Sequence, residues 1–159
     1  MSWNNEHVPV VRVQAKDNFS DPLMAMARSL KQSGNSDLAE LVLQDKARLK
    51  VNVPKAVDKI ANDEVDGAQK LIKEREYHSK SGYVGHGNLW KSVAKHPSKD
   101  GMTSDIYANA ESKEGYEYIQ AFENGLKNRN YPAQHVMHDS GMDLDVDTYS
   151  DEIIKKSIK

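Results

Sequence analysis

Between Pro54 and about Glu76 the residues Val57, Ile60, Ala61, Ala68, Leu71 and Ile72 recur on one helical face. Lys55, Asp58, Lys59, Asp63, Lys70 and Lys73 occupy the opposite face. A helix with one apolar stripe is stable only where another element covers that stripe. Gly67 weakens the segment by about 1 kcal/mol relative to Ala and allows a bend there. The nature of the covering element therefore decides the fold class.

Downstream the period changes. His78 to Asn88 (HSKSGYVGHGN) is rich in Gly and Ser and reads as a loop. Leu89 to Lys95 then reads as a strand, Lys95 to Gly101 as a turn, and Met102 to Ala110 as a returning strand. In the second strand Ile106, Ala108 and Ala110 alternate with Tyr107 and Asn109, the pattern of a half-buried antiparallel pair. Tyr116 to Glu123 fits either period. A short helix there, feeding a strand near Ala133 to Met137, is the preferred reading. A closing helix is expected from about Thr148, carrying Ile153, Ile154 and Ile158.

Upstream, Val8 to Val13 is a β-branched run suited to a strand or an extended arm. Asp21 and Pro22 signal a helix start, and Leu23, Met26, Ala27 and Leu30 continue it until Gly34 can close it. Asp37 and Glu40 have capping-box spacing before a second amphipathic helix with Leu38, Leu41, Val42 and Leu49. Helices first, then strands, then a helix make an α+β chain: a small antiparallel sheet packed on a long helix, with a C-terminal helix. Residues 1–50 read as an arm and helical extension, and residues 51–159 as the α+β domain.

At 159 residues the chain is long enough to bury a sizeable core. A formal charge of −2 with interleaved Lys and acids gives no basic stripe, so specific nucleic-acid binding is not expected. The absence of cysteine removes disulfide and thiolate chemistry. No apolar run reaches the roughly 18 residues of a membrane span. The first residues show no secretory signal, and an intracellular protein is expected.

The chemical motifs each lack a part. His135 and His138 share a helical face and Asp139 adjoins them, but no HExxH glutamate accompanies the pair. Asp143, Asp145 and Asp147 open like a calcium loop, yet Thr148 and Ile154 stand where Gly and Glu are needed. That acidic run suits a linker placing negative charge before the last helix. Gly82 to Asn88 carries three glycines without the Lys-Ser/Thr of a phosphate loop, and no Gly-x-Ser-x-Gly elbow occurs. Lys91, Lys95, His96 and Lys99 surround Trp90, which a basic hairpin edge explains as well as a nucleic-acid patch does. No catalytic residue, cofactor or metal is expected.

Three signals then stand in order: GNLWKSVAK (Gly87 to Lys95), SDIYANAES (Ser104 to Ser112) and GYEYIQAFENG (Gly115 to Gly125), followed by RNYPAQHVMHDS. Together they resemble the family of phage tail-completion, or head–tail joining (neck), proteins. Members have an amphipathic helix, a Gly-Asn-Leu or Gly-Ala-Leu element entering a strand, a second strand, a Tyr-rich segment ending in Glu-x-Gly, a Pro-Ala segment and a final helix. The matching positions are Gly87, Asn88 and Leu89 with Ser92, then Tyr107, then Tyr118 leading to Glu123 and Gly125, and finally Pro132. The resemblance spans residues 51–159. Tyr83 to His86 departs from it, standing where Pro-Val-Asp-Thr is often found.

The resemblance implies a structural virion protein, assembled in the host cytoplasm. It would form a ring, a hexamer in the expected case, between connector and tail tube, with other neck or tail proteins as partners. Glu123 and Gly125 would form the family turn. Loops Ser79 to Asn88, His96 to Gly101 and Asn124 to Pro132 would reach the neighbours. Two other readings stand beside it: a small His-dependent nuclease or toxin-like enzyme, and a helical adaptor binding a partner through the first two helices.

Overall fold

The computed structural model describes residues 5–76, 88–111, 115–126 and 132–158. Its elements are β1 (Val11–Gln14), α1 (Ser20–Gln32), α2 (Ser36–Glu76), α3 (Asn88–Lys91), β2 (Val93–Pro97), β3 (Thr103–Ala108), α4 (Tyr118–Asn124), α5 (Val136–Met142) and α6 (Val146–Ser157). The strands form one antiparallel sheet in the order β1-β3-β2. The fold is α+β, with this small sheet packed on the long α2 and α6 at the C-terminal end.

The apolar stripe of α2 is covered as its sequence requires. Ala61, Ala68 and Ile72 are buried with Val93, Ile106 and Ala108 of the sheet, Ile119 and Phe122 of α4, and Val136 and Met137 of α5. Val11 and Val13 of β1 pack against the same core, while Arg12 and Gln14 face away. In β3 the alternation seen in the sequence holds: Ser104, Ile106 and Ala108 are buried and their neighbours half-buried. Arg12 and Asp105 form an ion pair on the outer face at 2.7 Å, which holds the Asp105 carboxyl below its usual range.

Four local expectations change. The two helices expected from Asp37 to Leu49 and from Pro54 to Glu76 are one 41-residue helix, about 62 Å long. Pro54 lies inside it, where a proline costs about 3 kcal/mol through its missing N–H and its crowding of the preceding turn. Packing on both sides offsets that cost: Val57 and Ile60 are buried, and the β2–β3 turn presses Gly101 onto the Pro54 ring. Gly101 has φ +72°, and a Cβ there would stand 3.0 Å from Pro54 Cβ.

The strand expected over Leu89 to Lys95 starts later. Residues 88–91 make the single turn α3, closed by Ser92 Oγ donating to the Leu89 carbonyl at 2.6 Å, and β2 begins at Val93. The strand expected near Ala133 to Met137 is absent, because α5 starts at Val136 with its first amides bound by the Glu123 carboxylate. The expected capping box also shifts: α2 begins at Ser36, which puts Asp37 in its first turn rather than at its cap.

Residues 8–13, read as strand or arm, supply β1, whose Val11 pairs with Ile106. Residue 50 falls within α2. Gly34 closes α1 with φ +86°, and Asp145 caps α6 by accepting from the Thr148 amide. The Asp145 carboxyl lies below its usual range for that reason, bound by the Thr148 hydroxyl and amide.

Candidate functional site

The expected turn residues sit at the joint between α4 and α5. Gly125 ends α4 with φ +73°, a left-handed conformation that a Cβ strains. The chain returns so that the Gln134 and His135 amides donate to the Phe122 and Glu123 carbonyls at 2.8 and 3.2 Å. Glu123 itself is 5% exposed. Its Oε2 accepts from the Met137 amide at 2.8 Å and its Oε1 from the His138 amide at 2.9 Å. The α5 N-terminus is thus capped from α4 rather than by its own sequence, and His135 precedes it at φ +50°. Arg75 of α2 donates to the Gln134 carbonyl and to Asp139 Oδ2, fixing the same joint to the long helix. Arg75, and then His138, hold the Asp139 carboxyl below its usual range.

Beneath this joint lies a carboxyl that the sequence reading passed over. Glu64 occupies the apolar face of α2, four residues after Ile60 and four before Ala68, and is 0% exposed. Ser140 Oγ of α5 donates to its Oε1 at 2.5 Å, and its Oε2 has no partner among the described residues. Burial first, and then the Asp143 and Glu123 charges, push Glu64 up to about 7, against the opposing pull of the Ser140 hydrogen bond. Its place in the helical period was the available signal: a charged residue inside an apolar stripe.

Ser140 also lines a cleft of about 420 Å³ between α2, the α5–α6 joint and α6. Asp63, Lys70, Asp143, Asp145 and Tyr149 form much of its wall. Charges of both signs meet there, and the Tyr149 hydroxyl is taken up by Asp63. Among the described residues no group of three or more His, Asp or Glu side chains has the geometry to hold a metal ion. His135 and His138 are exposed, and the His138 ring meets Asp139 at 3.2 Å.

The remaining expected positions are dispersed. Gly87 lies outside the described residues, and Asn88 begins α3. Leu89 packs on the core beside Trp90, and Ser92 closes that turn. Tyr107 lies on β3 and stacks on His96 at 3.9 Å. Tyr118 is exposed at the start of α4, edge-on to Tyr116. Pro132 is exposed, and its carbonyl accepts from Gln134 Nε2 at 3.3 Å. Of the set, Glu123 and Gly125 share the α4–α5 joint. The basic group around Trp90 also separates: Lys73 and Lys91 lie over the indole, Lys95 pairs with Asp58 at 2.5 Å, and His96 joins Tyr107. Residues 79–87 of the loop from Ser79 to Asn88, and most of the loop from Asn124 to Pro132, lie outside the described residues.

A second feature is apolar and exposed. The α1–α2 hairpin buries Ala27 and Ala39 but leaves Met26, Leu38, Leu41 and Leu43 in solvent. Met142, Val146, Ile154 and Ile158 are exposed around α6, Met142 by 74%. α6 lies along α2, with Tyr149 opposite Asp63 at one end and Ser157 against Asn52 and Arg48 at the other. The chain matches no family model, no curated protein and no solved structure. No helix among the described residues is long and apolar enough to cross a membrane.

Proposed function

We propose that this chain is a structural subunit of a phage or prophage neck, a ring protein that joins or completes the tail. The observation that carries this reading is that exposed aliphatic side chains occur on two different elements, the α1–α2 hairpin and α6 with the joint before it. A ring built from head-to-tail contacts needs two different patches on each subunit, one for each neighbour. Exposed aliphatic groups in clusters are the usual mark of such contacts. The helix–sheet–helix order and the Glu123–Gly125 turn agree with the resemblance seen in the sequence.

Sedimentation at tens of micromolar tests the ring. The expected result is a closed multiple of the 17.9 kDa chain. Leu41→Glu and Ile154→Glu should each reduce it to monomer while the circular dichroism spectrum is kept. A wild-type monomer across that range, alone and with the protein encoded by the adjacent gene, would sink the reading.

A further inference from the structure

We propose that Glu64 and Ser140 form a proton-operated latch that holds α5, and with it α6, against α2. The contact joins the middle of the long helix to the last turns of α5, and it lies inside the core rather than on its surface. Glu64 Oε1 accepts from Ser140 Oγ at 2.5 Å, and Oε2 is buried without a partner among the described residues. No described cation faces the carboxyl. The charges acting on it are Glu123 from α4 and Asp143 from the α5–α6 joint, both acidic. From the sheet side, β1 and β3 present Val11, Val13, Ile106 and Ala108 to the core, with Ser104 as their buried polar group. Arg75 is engaged by Asp139 and the Gln134 carbonyl, while Lys70 and Asp145 line the cleft beyond Ser140.

A neutral carboxyl is tolerated in such a place, whereas a carboxylate with two acidic neighbours is not. Val136 and Met137 root α5 in the core, whereas the attachment of α6 is peripheral. The only fully buried residue of α6 is Ser157, held by Asn52 Nδ2 at 3.0 Å and through its carbonyl by Arg48 Nε at 2.8 Å. Lys59–Glu152 and Tyr149–Asp63 complete the attachment at the surface. The docking of the α5–α6 segment therefore depends in part on the state of one buried group, Glu64. The sign follows from where the proton sits. The closed form keeps its proton up to about pH 7, whereas a solvated Glu64 loses it near 4.5. Closure is strongest below pH 4.5, weakens about tenfold per pH unit up to about 7, and is level above that.

Hydrogen exchange on the full chain, corrected for the intrinsic pH dependence of amide exchange, reads the latch. Amides of residues 136–157 should be less protected than those of β3, and their protection should fall about tenfold per unit between pH 5 and 7. Glu64→Gln, neutral at every pH and able to keep a hydrogen bond to Ser140, should remove that slope. Ser140→Ala should lower protection of the same segment at every pH. Equal protection in β3 and in residues 136–157 would show that they open only together, which overturns the latch. A slope that is absent in the wild type, or unchanged in Glu64→Gln, overturns it as well.

Discussion

Glu123→Gln is the sharpest test of how the α4–α5 joint is held. The carboxylate accepts two backbone amides, from Met137 and His138, at 2.8 and 2.9 Å while 5% exposed. Hydrogen bonds to a charged group contribute about 1.5–3 kcal/mol each. Glutamine keeps one acceptor, worth about 1 kcal/mol as a neutral bond, and turns its NH2 towards the other amide. That second donor is left buried and unpaired, at a cost of about 1–3 kcal/mol. The net loss expected is about 3 kcal/mol, with little room for relaxation because α5 has only seven residues. In a chain of this length that lowers the melting temperature by about 6–12 °C. Urea unfolding followed by circular dichroism, with the m-value checked for constancy, measures it. A loss below about 1 kcal/mol would mean that the amides find water or another acceptor, and the capping argument would fail. The same variant removes one of the two charges that raise Glu64, so the Glu64 midpoint should move down.

Other expectations follow from single contacts. Between pH 4.5 and 7 the wild type should lose about 3 kcal/mol relative to Glu64→Gln, because only the native state holds the proton there; parallel pH profiles of the two would refute this. Gly101→Ala should cost more than Gly34→Ala in thermal melts, since both have positive φ but only Gly101 would drive a Cβ to 3.0 Å from Pro54. Arg75→Met should cost about 1 kcal/mol, a modest figure because Arg75 and Asp139 are both partly solvated; double-mutant cycles with Asp139→Asn read the pair term.

Much of the architecture could be read from periodicity. The α2 stripe, the alternation of Ile106, Ala108 and Ala110 and the Gly34 stop each have a local cause, so a single sequence carries them. The errors share another cause. Pro54 argued for a break, but contacts from Gly101 and from the core on either side keep the helix continuous. Ala133 to Met137 resembled a strand because the residue that makes α5 a helix, Glu123, lies more than ten positions upstream. Leu89 to Ser92 became a turn through a side-chain bond that pattern counting does not weigh. At the candidate site, Glu123 and Gly125 were named from the sequence. Glu64 and Arg75 act through partners distant in the chain, although the position of Glu64 in an apolar stripe was visible.

The pairing of Val11 with Ile106 has a consequence for how the chain folds. The partners are 106 − 11 = 95 residues apart, whereas β2 and β3 are joined by a short turn. The local hairpin can form early, but the sheet closes only when the start of the chain returns across most of its length. Until then the far edge of β3 offers an unpaired row of amides and carbonyls. A copy cut back past Gln14 would carry that open edge permanently. Strand exchange between copies, rather than simple loss of stability, is the failure such a truncation invites.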